Sequence, residues 1–344
     1  MDSKIETILD ALSVAVFIVD RNQKIVYRNA ASVSLFGTGL RNKKLKHFVP
    51  KKRCIRAVED VLSGEARQSV DVRLQLVVPT SFRMTVVPLE TGRDQSDASA
   101  VVSFEDVSHV LEAEQMRTDF VANVSHELRS PLTALSGFIE TLQGPARTDE
   151  QATARFLGLM EKEAARMARL IGDLLSLSKL QSAERYAPTE KIEINPIIER
   201  VIASLAPILD KEHAMVQSDL GDGLPDVFGD VDELTQVFSN LIENAAKYSR
   251  VGTTVSVTSM IDDKEPDMVR IVVVDQGEGI APEHIARLTE RFYRIDKGRS
   301  RDKGGTGLGL AIVKHILMRH RGRLQIDSIQ GQGSTFSVVL PRAR

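Results

Sequence analysis

Between Phe120 and Leu142 the apolar residues Val121, Val124, Leu128, Leu132, Leu135, Ile139 and Leu142 recur at three- and four-residue steps. That is the spacing of one buried stripe on a helix. Pro131 lies inside the run and cannot donate to the carbonyl of Glu127, so a bend is expected there. The upstream segment Asp106–Phe120 has no Gly or Pro and is predicted to extend the same helix, which would transmit tilt or rotation between its ends. A break at Gln143–Thr148, with Gly144 and Pro145, separates it from a second helical run, Asp149–Gln181. The second stripe comprises Phe156, Leu159, Met160, Met167, Leu170, Ile171, Leu174, Leu175 and Leu177. Two antiparallel helices with stripes this wide cannot bury them alone, which predicts a homodimer forming a four-helix bundle. The alternative is a hairpin packed on another domain of its own chain.

The flanking regions show other periods. A short helix at Ile5–Leu12 precedes strand-like Val14–Val19 and Lys24–Arg28, joined by the polar turn Asp20–Gln23 as in a hairpin. Strands are also predicted at Gln68–Val78, Ser81–Leu89 and Ala98–Glu105, separated by Pro79 and by Gly92–Asp97, with helices near Ala30–Phe36 and Arg53–Leu62. After the polar break Ser182–Pro188, helices at Ile197–Leu209 and Val231–Tyr248 alternate with strands at Val255–Met260, Val269–Val274, Arg323–Ser328 and Ser334–Leu340. This predicts an α/β sandwich on a mainly antiparallel sheet, with a loop from about Arg294 to Thr306.

Composition narrows the function class. The 344 residues are long enough for two or three domains, and 42% hydrophobic residues suffice for soluble cores. A net charge of −2 disfavours a general nucleic-acid surface. The lone Cys54 cannot form an internal disulfide, which fits a reducing cytoplasm, and it is read as a packing residue. His47, beside Phe48, is read as structural and not as a haem ligand. The most apolar run, Ile8–Val19, is shorter than the roughly 20 residues of a membrane helix and contains Asp10. A cytoplasmic protein is therefore expected, with recruitment to the inner membrane face by a membrane-associated upstream sensor left open.

Three clusters carry candidate chemistry. Gly298, Gly304, Gly305, Gly307 and Gly309 are interspersed with Lys297, Arg299, Arg301 and Lys303, and a helix is predicted over Leu308–Leu317. Backbone amides, a helix N-terminus and mobile cations suit polyphosphate, although a glycine-rich basic loop alone is often a surface lid. No Gly-Lys-Ser/Thr follows and no strand immediately precedes, so a Walker or dinucleotide-binding loop is excluded. Asn240 and Asn244 share one helix face, with Lys247 and Tyr248 within about a turn. Their carboxamide oxygens suit magnesium already balanced by phosphates. Asp275 ends a strand and precedes Gln276-Gly277-Glu278-Gly279, where a carboxylate can accept from an adenine amino group and glycine lets a ligand approach. His126 sits at the flank of the first stripe, with Glu127 adjacent and Ser130 one turn on.

In order and spacing, SHELRSPL, NLIENAAKYS, DQGEGI, RFYRID and GGTGLGLAIVKHI resemble the histidine, asparagine, first glycine, phenylalanine and second glycine boxes of two-component sensor histidine kinases. The wider run FVANVSHELRSPLTALSGFIETLQGPAR is most similar to the phosphate-regulon sensor kinases. Near the N-terminus, ALSVAVFIVDRNQKIVYRNAASVSLFG resembles PAS domains, with their N-x-A-x-x-x-L-F-G sequence. The resemblance implies a multidomain α+β chain: a PAS-like sensor domain at 1–106, a signalling helix with a dimerisation and histidine phosphotransfer hairpin at 107–184, and an ATP-binding α/β sandwich at 189–344.

It further implies that His126 is the phosphoacceptor, that Glu127 orients it or takes its proton, and that Ser130 stands where relatives position water for dephosphorylation. Asn244 would ligate Mg2+ with Asn240 nearby, Lys247 would contact phosphate and Tyr248 would pack on adenine. Asp275 would read the adenine amino group, with Gly277 and Gly279 making room. Phe292 and Arg294 would border the lid, and the run Gly305, Thr306, Gly307, Leu308 and Gly309 would close over the phosphates of ATP. The implied partners are a second copy of the chain and the receiver domain of a response regulator, toward which phosphatase activity is also expected. An ATPase of the same fold that drives conformational change, and a phosphatase or scaffold, are the rival readings. His109, His213, His284, His315 and His320 are read as incidental.

Overall fold

The computed structural model describes residues 3–76, 78–89, 99–183, 187–296 and 305–343. The predicted separator Gly92–Asp97, part of the polar break 182–188, and Lys297, Gly298, Arg299, Arg301, Lys303 and Gly304 lie outside the described residues. The chain divides into two compact units, Met1–Ala122 and Asn123–Arg344, and the boundary falls within one helix, α4 (Ser108–Gln143).

In the first unit α1 (Ser3–Asp10) leads to β1 (Ala15–Asp20), β2 (Ile25–Arg28), α2 (Ala30–Phe36) and, after a 3-10 turn at Leu45–His47, α3 (Lys52–Leu62). Strands β3 (Gln68–Gln75), β4 (Pro79–Leu89) and β5 (Ser99–Asp106) complete an antiparallel sheet of order β2-β1-β5-β4-β3. Pro79 is the first residue of β4, paired with Gln75, and not a separator. Proline is tolerated at a strand start, where its missing N–H need not serve the ladder. Asn29 shows why the N-x-A sequence opens this fold. Its Oδ1 caps α2 by accepting from Ser32 N at 3.0 Å and also accepts from Val16 N at 2.9 Å. Its Nδ2 donates to Leu9 O at 3.0 Å and Val14 O at 2.8 Å. One buried carboxamide thus joins α1, β1 and α2. The rings of Phe17, Phe36, Phe82 and Phe104 pack tilted or edge-on with centroids 5.4–6.2 Å apart. Cys54 lies buried in the same core, and burial raises its thiol pKa.

In the second unit α4 pairs with α5 (Glu150–Ala183). Glu127 meets Arg166 and Phe138 stacks near Phe156 at 5.5 Å, so residues descend one helix as they climb the other, the register of an antiparallel hairpin. Helical structure passes through Pro131 without a break. The stripes are only partly covered within the chain. Leu170, Leu177 and Leu180 are buried, whereas Leu132 (56% exposed), Ile139 (42%), Leu157 (53%) and Leu175 (59%) face solvent.

The remainder is a two-layer sandwich. Its sheet has the order β11-β12-β10-β9-β7, formed by β7 (Met215–Leu220), β9 (Thr254–Ile261), β10 (Met268–Asp275), β11 (Arg323–Ile329) and β12 (Gly333–Pro341). A small separate ladder joins β6 (Lys191–Ile192) to β8 (Val227–Phe228). The pairs are antiparallel except β7 with β9. The predicted helix Ile197–Leu209 is two helices, α6 (Asn195–Ser204) and α7 (Ala206–Lys211). Pro207 explains the break, because it supplies no N–H to continue the α6 ladder. The polar edge strand β7, MVQSDL, lacks the apolar alternation that would have predicted it. Helix α8 (Val231–Tyr248) buries Leu234, Val237, Phe238, Leu241 and Ile242 against the sheet and α6. Beyond a short helix, α9 (Pro282–Ile285), α10 (Gly309–Arg319) packs on both α8 and α5.

Candidate nucleotide and phosphotransfer site

With its apolar face buried, α8 turns a polar face outward. Asn240, Asn244 and Lys247, spaced four and three apart, share it. Asp230 caps the helix by accepting from Glu233 N at 3.0 Å. Asn240 Nδ2 donates to Gln236 O at 2.9 Å, and its Oδ1 lies so near Gly309 that a Cβ there would be 2.6 Å away. The asparagine face is thereby set against the start of α10. Lys247 pairs with Glu243 at 2.6 Å, and exposed Tyr248 closes the helix.

Two helices of the site are pinned by a histidine that the sequence reading took as incidental. His320, at the C-terminal end of α10, is buried and accepts from Asp230 N through Nε2 at 3.1 Å. Its Nδ1 lies 2.8 Å from Ile316 O and therefore carries the proton. Accepting at Nε2 requires the neutral ring, and burial lowers its pKa. Arg319 reinforces the joint by pairing with Glu233.

Asp275 ends β10 with 5% of its surface exposed. Its Oδ1 accepts from Gly277 N at 2.8 Å and Ser334 N at 3.2 Å. Burial raises its pKa and these hydrogen bonds oppose the rise. Gly277 bridges to Ser249 just beyond α8, and a Cβ there would stand 2.3 Å from Tyr248 O. Only glycine fits that approach. Gly279 lies against Ile329 O on the next part of the same loop.

The third group joins residues 292–294 to 305–309. Phe292, in the left-handed region at φ 62°, donates its N–H to Gly307 O at 2.8 Å. Gly307 has φ 73°, and a Cβ there would meet Phe292 Cα at 2.9 Å and Arg294 Nε at 3.2 Å. Tyr293 is anchored by its hydroxyl to His284 Nδ1 at 2.7 Å and by Arg287 above its ring at 4.3 Å. Both His284 and His320 therefore have defined partners. Leu308 is buried and Gly305 half-buried. Thr306 Oγ1 donates to Asp173 Oδ2 on α5 at 2.6 Å and lies 3.3 Å from Leu308 N.

His126 and Ser130 are exposed on α4, one turn apart. Glu127 points into the hairpin's contact with the sandwich, accepting from Arg166 Nη2 at 2.6 Å and Arg294 Nη2 at 3.3 Å. Sequence reasoning named Glu127 and Arg294 but not their contact, and it missed Arg166 and Asp173 altogether. Those two lie seven residues apart on one face of α5, a polar spacing hidden among the apolar positions that define the helix.

Among the described residues no group of three or more His, Cys, Asp and Glu could hold a metal by itself. The oxygen donors of Asn240 and Asn244 instead fit a hard cation that arrives with phosphates. A two-layer α/β sandwich thus contacts an antiparallel hairpin that carries an exposed histidine.

Family comparisons sharpen this. Residues 229–344 match the Histidine kinase-, DNA gyrase B-, and HSP90-like ATPase model, 116–183 the His Kinase A (phospho-acceptor) domain and 3–67 a PAS domain. The sensor-like histidine kinase SenX3 of Mycolicibacterium smegmatis is 36% identical over 97% of this chain and 84% of its own length. The phosphate regulon sensor protein PhoR of Pseudomonas aeruginosa is 40% identical over 67% of this chain and 52% of its own length. The chain thus spans about half of that relative and more of the other. Among solved structures, histidine kinase AdeS of Acinetobacter baumannii superposes with TM-score 0.50 and 27% identity, covering 64% of this chain and 98% of that one. The fold of histidine kinase ThkA, solved with the response regulator TrrA, covers 98% of both chains with TM-score 0.54 at 20% identity. This chain belongs to the sensor histidine kinase family. Among the described residues no helix is long and apolar enough to cross a membrane.

Proposed function

We propose that this chain is a protein-histidine kinase that phosphorylates His126 from Mg-ATP and passes the phosphoryl group to an aspartate of a response regulator. The observation that carries this reading is the contact of Arg294 with Glu127. It joins the nucleotide cluster to the residue beside the exposed histidine. Asp275 would accept from the adenine amino group beside Gly277 and Gly279, with Tyr248 packed on the base. Lys247 would contact the phosphates, bordered by Phe292, Arg294 and the run Gly305–Gly309. Asn244, with Asn240 nearby, would hold magnesium, which would neutralise charge on the polyphosphate.

In the transfer, the lone pair of a His126 ring nitrogen bonds to the γ-phosphorus. The bond to the β–γ bridging oxygen breaks, and ADP leaves with that electron pair. Glu127 orients the imidazole or takes its proton. A receiver aspartate then attacks the phosphorus, and the nitrogen–phosphorus bond breaks. Ser130, exposed one turn from His126, supports a dephosphorylating role through a positioned water. The open apolar stripe on α4 and α5 supports a homodimeric four-helix bundle. The functional division is 1–106 for sensing, 107–184 for dimerisation and phosphotransfer, and 189–344 for ATP binding. Because ATP is a cytoplasmic metabolite, this reading places those domains in the cytoplasm. The name of the relative PhoR, a phosphate regulon sensor protein, favours a phosphate-responsive pathway.

Incubation with magnesium and γ-labelled ATP should give acid-labile, base-stable label that disappears in His126→Ala and in Asn244→Ala with the fold retained. Label persisting in His126→Ala would overturn the assignment.

A further inference from the structure

We propose that Asp173 on α5 is an autoinhibitory ligand of the nucleotide domain, competing with the distal phosphates of ATP for Thr306 and its surroundings. The inference rests on the nucleotide reading above. Thr306 lies in the run assigned to the phosphates, yet its hydroxyl is committed to Asp173 at 2.6 Å. Asp173 is half-buried and electrostatically coupled to Glu243 and Lys247 on α8, as well as to Arg169 on its own helix. Lys247, the cation assigned to phosphate, is held by Glu243 at 2.6 Å. Two carboxylates therefore stand at the end of the site where a polyphosphate would bring several negative charges. Burial raises the Asp173 pKa, as expected of a carboxyl held in such surroundings.

The contact lies at a joint built to hold. Helix α10, which begins three residues after Thr306, packs on α5, and Leu170 and Leu177 flanking Asp173 are buried. A phosphate at Thr306 and Lys247 would displace Asp173 or be repelled by it. Nucleotide binding and seating of the domain on α5 therefore oppose each other, and linkage makes the opposition reciprocal. The arrangement favours binding of ATP over adenosine only after α5 has let go, and release frees the domain to reposition for transfer. The polar contact tunes the joint while the apolar one provides its adhesion.

The test uses the whole chain and isothermal titration with Mg-ATP and, separately, adenosine. In Asp173→Ala and in the near-isosteric Asp173→Asn, the Kd for Mg-ATP should fall by roughly fivefold or more, the lower end of usual coupling, while the Kd for adenosine stays unchanged. Hydrogen exchange of backbone amides at 170–176 should rise on Mg-ATP addition to the unmodified chain and respond little to adenosine. An unchanged or weaker affinity for Mg-ATP in both variants would overturn the proposal, as would equal tightening for adenosine. Wild-type chain that binds ATP and labels His126 in the same preparation would leave the kinase reading intact in that event.

Discussion

Helix α8 and both helices of the α4–α5 hairpin carry apolar stripes at helical spacing, but the chain treats them differently. On α8 the apolar stripe is completely buried by strands, α6 and α10. On the hairpin the positions nearest the sandwich are buried, and Leu132, Ile139, Leu157 and Leu175 remain open. One element is finished within the chain, whereas the other presents apolar surface of the kind that marks an interface. The polar residues follow suit. On α8 Asn240 lies against Gly309 at the start of α10, whereas on the hairpin Glu127 and Asp173 meet the sandwich and His126 and Ser130 face outward.

The sharpest way to break this contrast is to truncate one residue from each stripe. Leu241→Ala removes a fully buried side chain and should destabilise the second unit by about 2–5 kcal/mol, read from the midpoint of denaturant unfolding. Leu132→Ala should shift the same midpoint far less. Equal losses would mean that Leu132 is covered in solution as fully as Leu241, by its own chain or by a second copy. A smaller effect should come from charge on the open stripe. Leu132→Glu combined with Leu175→Glu should raise the dimer dissociation constant at least tenfold, about 1.4 kcal/mol, measured by sedimentation with helicity unchanged. A dimer of unaltered affinity would place the interface elsewhere.

The smallest expected effect sharpens the comparison from the α8 side. His320 must stay neutral to accept from Asp230 N, and its folded pKa lies below the ordinary value of 6.5. The unfolded chain therefore binds the proton first as pH falls. The stabilisation is present above the unfolded pKa and is lost below it, with a slope of at most about 1.4 kcal/mol per pH unit for one proton. His320→Gln should flatten that part of the stability profile below pH 6.5. An unchanged profile would show that this joint does not titrate.

Much of the architecture could be read from local pattern. Period-3.6 stripes announced α4, α5 and α8, alternating strands announced β9 and β10, and Asn29 stood in a sequence whose capping role the fold makes plain. Local pattern failed where the cause was local but weak, as at Leu205, where Pro207 splits one apolar run into α6 and α7. It failed also at β7, a polar edge strand with little burial to shape its composition. Candidate chemistry was legible as clusters because glycine, asparagine and aspartate recur there at short spacings. Its cross-connections were not: Glu127 with Arg294 spans 167 residues, and Thr306 with Asp173 spans 133.

By itself, then, the sequence determined which segments are helical or extended, which faces are apolar, and which short runs carry phosphate-type chemistry, because each depends on neighbours within a few residues. Tertiary structure alone decided that Asp173 meets Thr306, that Arg166 and Arg294 share Glu127, and that His320 joins α8 to α10. Such contacts depend on how buried faces bring distant segments together, and a polar side chain's partner is set by that packing and not by its own surroundings in the chain.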